Sequence, residues 1–381
     1  MEQAFSPLDE ELELLPGLLS PALAESVGRL GAALPFGQAR VLLEQLAGAR
    51  VSEATVRRCT LGLGAAAVAV ETGAVDVLEE GTTEPIEGPP QLQLSVDGAM
   101  VPLVGGVWAE VRTVAIGELK PGQDEKLQAT EQSYFSRLND HATFTRLATL
   151  ETHRRGVAQA GQVVTVNDGA EWIQTFIDTH APGATRVLDL GHASGYVHAA
   201  GHALAGGCGP WCEAQMGELV KGDPARVLET LAAKEDSLGA EDPAREVVAH
   251  SHAYLARREA QIQYASFQAA GLPIGSGTVE SANKFLVEAR CKGAGMHWQS
   301  DNVNPILALR CADNSAHWTT TATTAQEHLR LAHAQRRHER HRARRHPPRP
   351  PRPKRIVNGR PTDDHPLKRY PAVSRRRHAK S

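Results

Sequence analysis

The sequence predicts a mixed α/β protein with helical regions before its sheet and within it. Three observations carry this prediction: a helical pattern over residues 1–85, three strand-like segments after it, and then helices that alternate with apolar strands. Consecutive strands followed by helix–strand units indicate one sheet that starts antiparallel and continues parallel. We therefore expect the sheet and its helices to form one domain over residues 90–325.

The helices of residues 1–85 admit two interpretations. FGQARVLLEQLAG (36–48) carries an apolar stripe, and Ser52 is a suitable N-cap for the helix SEATVRRCTLGLG that follows. A helix, a short turn and a second helix match a helix-turn-helix, in which Arg57 and Arg58 would meet DNA phosphates or base edges. An ordinary helical hairpin with solvated arginines fits as well, and this stretch alone favours it.

The strands and helices of the sheet follow a linker at residues 82–90. QLQLSVDGAM alternates apolar and polar residues, which predicts a strand with one buried face. QVVTVN (162–167) does not alternate, so it is expected to be buried on both faces. The remaining predictions are strands at 107–119 and 133–138, helices at 141–156 and 171–181, a buried strand TRVLDLGHAS (185–194), a helical insertion at about 196–268, and a helix from about Thr278.

Four carboxylates occupy related places in this scheme. Asp97 ends the first strand, Asp168 ends the fourth, Asp189 lies in the fifth, and Glu280 is in the first turn of the late helix. If the first strand neighbours the fourth, Asp97 and Asp168 project at the same edge of the sheet. Converging carboxylates raise one another's pKa, and a hard divalent cation such as Mg²⁺ relieves that repulsion. Two such ions can support an in-line phosphoryl transfer.

Each acid also has a simpler explanation. Asp97-Gly98 and Asp168-Gly169 are common turn dipeptides, and Asp168 would also serve as a helix N-cap. Glu280 would be a favourable acid in the first turn of a helix. Spacing alone leaves the metal site and these structural roles open.

Five motifs together resemble the DDE transposases of bacterial insertion sequences, of the Kra-type group related to Mutator-like elements. They are VDGA (96–99), NDGAEWI (167–173), VLDLGHAS (187–194), PIGSGTVESANKFLVEARCKGAGMHW (273–298) and NVNPILALR (302–310), within a likeness that runs from about residue 7 to about 318. The resemblance implies an RNase H-like core with an all-helical insertion before the last acid. It also implies a DDE triad of Asp97, Asp168 and Glu280 that binds two Mg²⁺ or Mn²⁺ ions.

The resemblance extends to DNA contacts and partners. An acid-x-x-His motif, here Asp189 to His192, is implied to handle DNA near the cleavage site, and His192 can transfer protons near neutral pH. Recognition of the terminal inverted repeats would fall to the helices that carry Arg57 and Arg58. Lys284 and Arg290 would contact the DNA backbone, although a solvated helix face explains them equally. Target DNA and further copies of this chain are the other implied partners.

Charge divides the chain into an acidic body and a basic tail. Residues 331–381 have a net charge of +14, whereas residues 1–330 have −17. The tail, 330–381, is poor in apolar residues, so we expect it to be disordered and attracted to nucleic acid. No signal-peptide layout and no apolar run of transmembrane length is recognised, and five scattered cysteines suit a reducing cytoplasm.

One departure from the family pattern and two cysteine motifs bear on function. The Cys-rich, zinc-binding segment that relatives often carry ahead of the first helices has no counterpart here, so an inactive DNA-binding relic and a stand-alone RNase H-like nuclease stay as alternatives. A zinc site of His198, His202, Cys208 and Cys212 is conceivable from spacing. A redox role for CGPWC fits less well, because its spacing is C-x₃-C and not C-x-x-C.

Overall fold

A computed structural model describes residues 19–345 of the chain, apart from residues 82 and 123–126 and the side chains of residues 205, 341 and 343–345. The chain divides into two compact units, Met1–Arg330 and Leu331–Ser381. Each unit is treated by itself below. The predictions for residues 1–18 and 346–381 lie outside the described residues.

The region before the sheet contains three helices: α1 (Pro21–Ala33), α2 (Phe36–Ala47) and α3 (Glu53–Glu79). As predicted, α2 ends at Gly48, whose φ of 64° is a left-handed C-cap, and the Ser52 hydroxyl accepts the backbone N–H of Thr55 at 3.1 Å to start α3. Apolar side chains from all three helices, among them Val27, Leu43 and Val56, form one buried cluster.

By length and composition, α3 is also long and apolar enough to cross a membrane, whereas the sequence analysis recognised no apolar run of that length. Part of one face of α3 is buried: Leu63, Ala66 and Ala67 share a core cluster with Leu309 and Trp318. This part of the helix therefore packs within the first unit.

The sheet has five described strands, β1 (Gln91–Pro102), β2 (Trp108–Pro121), β3 (Leu127–Arg137), β4 (Gln162–Asn167) and β5 (Thr185–Leu188). They lie in the order β3-β2-β1-β4-β5. β1 pairs antiparallel with β2, and β2 with β3, whereas β4 runs parallel to both β1 and β5. The mixed α/β prediction is confirmed, and the first strand does neighbour the fourth.

Helices follow the strands in the predicted places. α4 (His141–Arg154) and α5 (Glu171–His180) flank β4 in sequence, and α6 (Leu190–Ala205) to α10 (Tyr264–Ala269) form the all-helical insertion, with α7 (Pro210–Lys221), α8 (Pro224–Ser237) and α9 (Pro243–Ala256) between them. The chain then forms α11 (Gly277–Ala282), a π-helix (Asn283–Glu288), α12 (Ala289–Cys291), α13 (Ser300–Asn314) and α14 (Trp318–Arg345).

Helices cover both faces of the sheet. Leu92, Leu94 and Val96 of β1 pack with Phe144 of α4 and Phe176 of α5 on one face. On the other face, the insertion covers Val164, Val166 and Val187, and the helices after it cover Val101 and Val111. The alternation in β1 therefore separates two buried faces, so the prediction of one solvated face is wrong.

The polar face of β1 is buried because α11 lies on it. Gln93 and Ser95 are 2% and 0% exposed. The Gln93 side-chain amide donates to the hydroxyls of Ser95 (3.1 Å) and Thr278 (3.3 Å). Buried polar side chains need such partners, so this face is a packed hydrogen-bonded layer under the late helix.

Two further predictions, on the end of β5 and on the start of the tail, are wrong. β5 ends at Leu188, and the residues from Leu190 form α6 instead of continuing the strand to Ser194. The predicted disorder from 330 does not hold for residues 331–345, which lie in α14. Alanine, glutamine and arginine favour helix there, and the first proline after Trp318 is Pro347.

Candidate active site

Asp97 lies within β1, opposite Thr113 of β2, on the face that α11 covers. The strand continues through Gly98 to Pro102, so the prediction that Asp97 ends it and the alternative of an Asp97-Gly98 turn are both wrong. Its Oδ1 accepts the backbone N–H of Gly98 at 2.7 Å, and its Oδ2 accepts the side-chain amide of Asn283 at 2.9 Å. Asn283 begins the π-helix after α11, a distortion that often occurs at functional sites. The carboxylate is therefore held from its own strand and from the late helix.

The electrostatic surroundings of Asp97 bring the three predicted acids together. Burial raises the pKa of Asp97 most, and the nearby charges of Asp168 and Glu280 raise it further, against hydrogen bonds from Gly98 and Asn283 that lower it. Throughout the described ranges, none of the three carboxylates forms a salt bridge to a Lys, Arg or His. Within those ranges, no salt bridge therefore offsets the effect of Asp168 and Glu280 on Asp97.

Asp168 directly follows β4 and belongs to the turn that leads into α5. Its Oδ1 accepts the backbone N–H of Ala170 at 3.0 Å, so the turn interpretation is confirmed. Ala170, and not Asp168, occupies the N-cap position of α5. Asn167 fixes the end of the strand beside β1, because its side-chain oxygen accepts the backbone N–H of Val96.

The insertion contacts the Asp168 turn at Gly169. The Arg258 guanidinium donates one hydrogen bond to the Gly169 carbonyl and another, at 3.1 Å, to the Tyr254 carbonyl. It also lies 3.8 Å from the centre of the Tyr254 ring, which stacks on Tyr196 with 3.8 Å between centroids. A Cβ on Gly169 would come within 2.2 Å of both Arg258 Nε and the Tyr254 hydroxyl. Only glycine fits the turn without displacing these side chains.

Glu280 occupies the first turn of α11, as the sequence predicts. The Ser276 hydroxyl donates to its Oε1 at 2.7 Å. The backbone N–H of Ser276 in turn donates to Asp189 Oδ1 at 2.8 Å. A chain of hydrogen bonds thus connects the end of β5 to the third acid of the cluster.

Asp189 has a capping role that the sequence prediction did not include. Besides Ser276, its carboxylate accepts the backbone N–H of His192 at 2.9 Å and so caps α6, and the residue is only 7% exposed. His192 is exposed on the first turn of α6. The acid-x-x-His pair therefore consists of a buried structural carboxylate and a solvent-facing imidazole.

The four predicted DNA-contacting cations divide into exposed and buried. Arg57, Arg58 and Lys284 are exposed. Arg290 is 2% exposed, donates to the Gly31 carbonyl at 3.1 Å and lies between the rings of Phe36 and Trp298. Burial lowers the pKa of its guanidinium to about 10. It anchors the late helix to the N-terminal helices instead of facing solvent.

The residues predicted to bind metal ions are present, but they do not form a complete coordination site. Among the described residues, no three His, Cys, Asp or Glu side chains converge as ligands of one ion. This holds for the conceivable zinc site too, whose His198 and His202 are exposed on α6. The chemistry of the Asp97 cluster still suits a hard divalent cation, because three carboxylates without a salt-bridge partner are the ligands that Mg²⁺ and Mn²⁺ prefer.

Asn283, Ser276, Tyr254 and Arg258 were not predicted from sequence. Ser276 and Asn283 lay inside the motif of residues 273–298 without being singled out, and no spacing rule connects Tyr254 and Arg258 to the acids. Comparison of the chain with protein-family models gives no match, and comparison with curated proteins gives no similar one.

Proposed function

We propose that this protein is a DDE transposase of a bacterial insertion sequence, with an RNase H-like core that cleaves DNA strands at the element ends and joins them to target DNA. The observation that carries the proposal is the cluster of Asp97, Asp168 and Glu280: the charges of Asp168 and Glu280 raise the pKa of Asp97, and none of the three carboxylates forms a salt bridge within the described residues. The position of β1 between β2 and β4 supports the same core. The motif resemblance selects the same three acids.

Asp97, Asp168 and Glu280 would hold two Mg²⁺ or Mn²⁺ ions. Such ions, when bound, lower the pKa of an attacking water or 3′-hydroxyl and neutralise charge at the scissile phosphate. The protein's own contribution is orientation. Asn283 fixes the Asp97 carboxylate, and Ser276 fixes Glu280. Hydrogen bonds of this kind, from residues behind the ligands, orient a metal site.

Arg258 restrains the third component, the Asp168 turn, from the insertion side. Its hydrogen bond to the Gly169 carbonyl connects α9 to the turn, and its stacking on Tyr254 fixes the plane of the guanidinium. Arg258 donates to the Gly169 and Tyr254 carbonyls and not to the Asp168 carboxylate, which would thus be left to bind a cation.

DNA binding would use the exposed cations and the basic tail. Arg57 and Arg58 on α3 are in the helix of the α1–α3 region that would recognise the terminal inverted repeats. Lys284, next to Asn283, would contact a backbone phosphate near the acids, and His192 would position a phosphate or transfer a proton. Residues 331–381 would add nonspecific affinity through their charge. We place the protein in the bacterial cytoplasm at the nucleoid, acting as a homo-oligomer on paired ends.

The test is a nicking and strand-transfer assay on plasmid DNA that carries the segments on either side of the coding sequence. The wild-type protein with Mg²⁺ should give nicked and joined products, and Asp168→Asn should give none. Glu171→Gln is a matched control, because Glu171 is an exposed acid three residues further along, in the first turn of α5. It should retain activity.

Other outcomes identify the alternatives. Binding to the same DNA with no cleavage in any divalent metal would indicate an inactive relic. Cleavage of RNA–DNA hybrids without dependence on end sequence would indicate a stand-alone nuclease. Equal product from wild type and Asp168→Asn would contradict the assignment of the acids.

A further inference from the structure

Two of the five cysteines meet at the junction of α6 and α7. Cys208 is exposed in the short segment between the helices, and Cys212 is 3% exposed in the first turn of α7. The Cys208 Sγ donates a hydrogen bond to the Cys212 Sγ at 2.6 Å. Within the part of the chain that the structure describes, no other pair of thiols forms such a hydrogen bond.

The backbone explains how a C-x₃-C spacing brings the sulfurs together. Gly209 is the N-cap of α7 and has an extended conformation, with φ −112° and ψ −157°, so Cys208 lies outside the helix. The chain before Gly209 folds over the first turn of α7, towards Cys212. The objection that this spacing differs from C-x-x-C therefore does not apply, because reach between the sulfurs decides the chemistry.

Cys212 is enclosed by the neighbouring helix. A Cβ on Gly201 of α6 would lie 2.2 Å from the Cys212 Sγ and 3.2 Å from the Trp211 ring. The absent side chain at Gly201 creates the space that the thiol fills. Cys208 is exposed to solvent and Cys212 is buried, which gives the two sulfurs different roles.

We propose that Cys208 and Cys212 are a redox modification site that a hydroperoxide oxidises to an intrachain disulfide. The exposed Cys208 thiol reacts first, and the buried Cys212 thiol then closes the disulfide. Burial also raises the pKa of Cys212, to about 11, so this thiol is protected from direct oxidation until its neighbour has reacted. The inference does not depend on the proposed transposase function.

The reaction balances with one hydroperoxide molecule. The Cys208 thiolate attacks one peroxide oxygen, the O–O bond breaks, and water or an alcohol leaves as Cys208 becomes a sulfenic acid. The Cys212 sulfur, on losing its proton, attacks the Cys208 sulfur. The S–O bond breaks, water leaves, and the S–S bond forms. Two thiols are oxidised by two electrons, and the peroxide is reduced by two.

The other cysteines serve as internal references. Cys291 and Cys311 are 0% and 5% exposed, and burial raises the pKa of each thiol to about 11. Cys59 is half-buried on α3, and burial raises its pKa as well. Independent oxidation of single cysteines would follow the exposure of each thiol. Formation of a disulfide instead removes the Cys208 and Cys212 thiols together.

The experiment treats the reduced full-length chain with hydrogen peroxide, counts free thiols and maps peptides by mass spectrometry. Cys208 and Cys212 lie in one tryptic peptide, residues 187–221. We expect the five free thiols to fall to three, that peptide to lose two hydrogen atoms, and dithiothreitol to restore both thiols.

Three variants complete the test. Cys208→Ser should leave Cys212 a thiol, and Cys212→Ser should leave a Cys208 sulfenic acid that dimedone traps. Cys291→Ser, the control, should still form the disulfide. The inference is overturned if both thiols persist under peroxide that oxidises free cysteine, or if Cys208 instead forms a disulfide between two chains.

Discussion

The Asn283 side-chain amide donates to Asp97 Oδ2 at 2.9 Å and so connects the late helix to the central strand of the sheet. We expect Asn283→Ala to free the carboxylate to rotate and to lower its affinity for Mn²⁺ by roughly 10–100-fold, the usual loss when a partner behind a metal ligand is removed. Calorimetric titration of Mn²⁺ into wild type and variant measures the change.

Lys284→Ala provides the control for Asn283→Ala. Lys284 is the next residue but is exposed, so its removal should leave Mn²⁺ affinity unchanged and weaken DNA binding only. Equal Mn²⁺ affinity for Asn283→Ala and wild type would show that the Asn283–Asp97 hydrogen bond has no part in a metal site.

Gly169→Ala should destabilise the fold because the added methyl group meets Arg258 Nε and the Tyr254 hydroxyl at 2.2 Å. Overpacking of this kind costs about 1–3 kcal/mol in the free energy of unfolding. Gly183→Ala is the matched control, since a Cβ there has no neighbour within 4 Å, and its effect should stay within about 0.5 kcal/mol. Urea unfolding measures both. Identical effects would mean that the turn adapts to the methyl group freely.

Asp97→Asn should stabilise the metal-free protein at neutral pH. The folded state raises the pKa of Asp97 by burial and by the charges of Asp168 and Glu280, so the folded state binds more protons than the unfolded state between the two pKa values. Stability from this group therefore falls as pH rises from its ordinary range near 3.8 through the folded pKa. Thermal unfolding with a chelator, from acid to neutral pH, should show a smaller loss for the variant. An equal loss of stability in both proteins would contradict the repulsion of Asp97 by Asp168 and Glu280.

Arg57→Ala combined with Arg58→Ala should weaken binding to end-containing DNA and reduce its salt dependence. Each phosphate contact adds about 0.9 to the slope of log affinity against log salt, so the slope should fall by roughly 1–2. Arg226→Ala removes another exposed arginine, on α8, and should change neither quantity. Fluorescence anisotropy at several salt concentrations tests this, and an unchanged slope in the double variant would exclude α3 from the DNA contact.

Local sequence patterns predicted much of the scaffold. The glycine at 48, the serine at 52 and the unbroken apolar run before Asn167 each act through their immediate neighbours, so α2, β4 and the start of α3 lie within a few residues of the predicted bounds. The end of α3 was not predicted, because the helix continues to Glu79, well beyond the predicted stretch of residues 52–64. Asp189 was predicted to lie within the fifth strand because VLDL has the apolar content of a buried strand. The carboxylate instead caps α6, and only the fold shows its contact with Ser276.

The remaining site residues depend on contacts between distant parts of the chain. Arg258 and Gly169 are 89 residues apart in sequence, and Asn283 and Asp97 are 186 apart. No periodicity or spacing records such a pairing. The burial of Arg290 was missed for the same reason. Its charge indicated a solvated face, but Phe36 and Trp298 enclose it where the N-terminal helices pack on the late helix.

The central claim is that Asp97, Asp168 and Glu280 hold divalent metal. The most direct measurement is Mn²⁺ binding, by calorimetry or by loss of the free-ion electron paramagnetic resonance signal, to wild type, Asp97→Asn, Asp168→Asn, Glu280→Gln and the Glu171→Gln control. We predict binding by wild type and the control, and weakened or absent binding in each of the other three. Binding of Mn²⁺ with equal affinity by all five proteins, or by none of them, would contradict the claim.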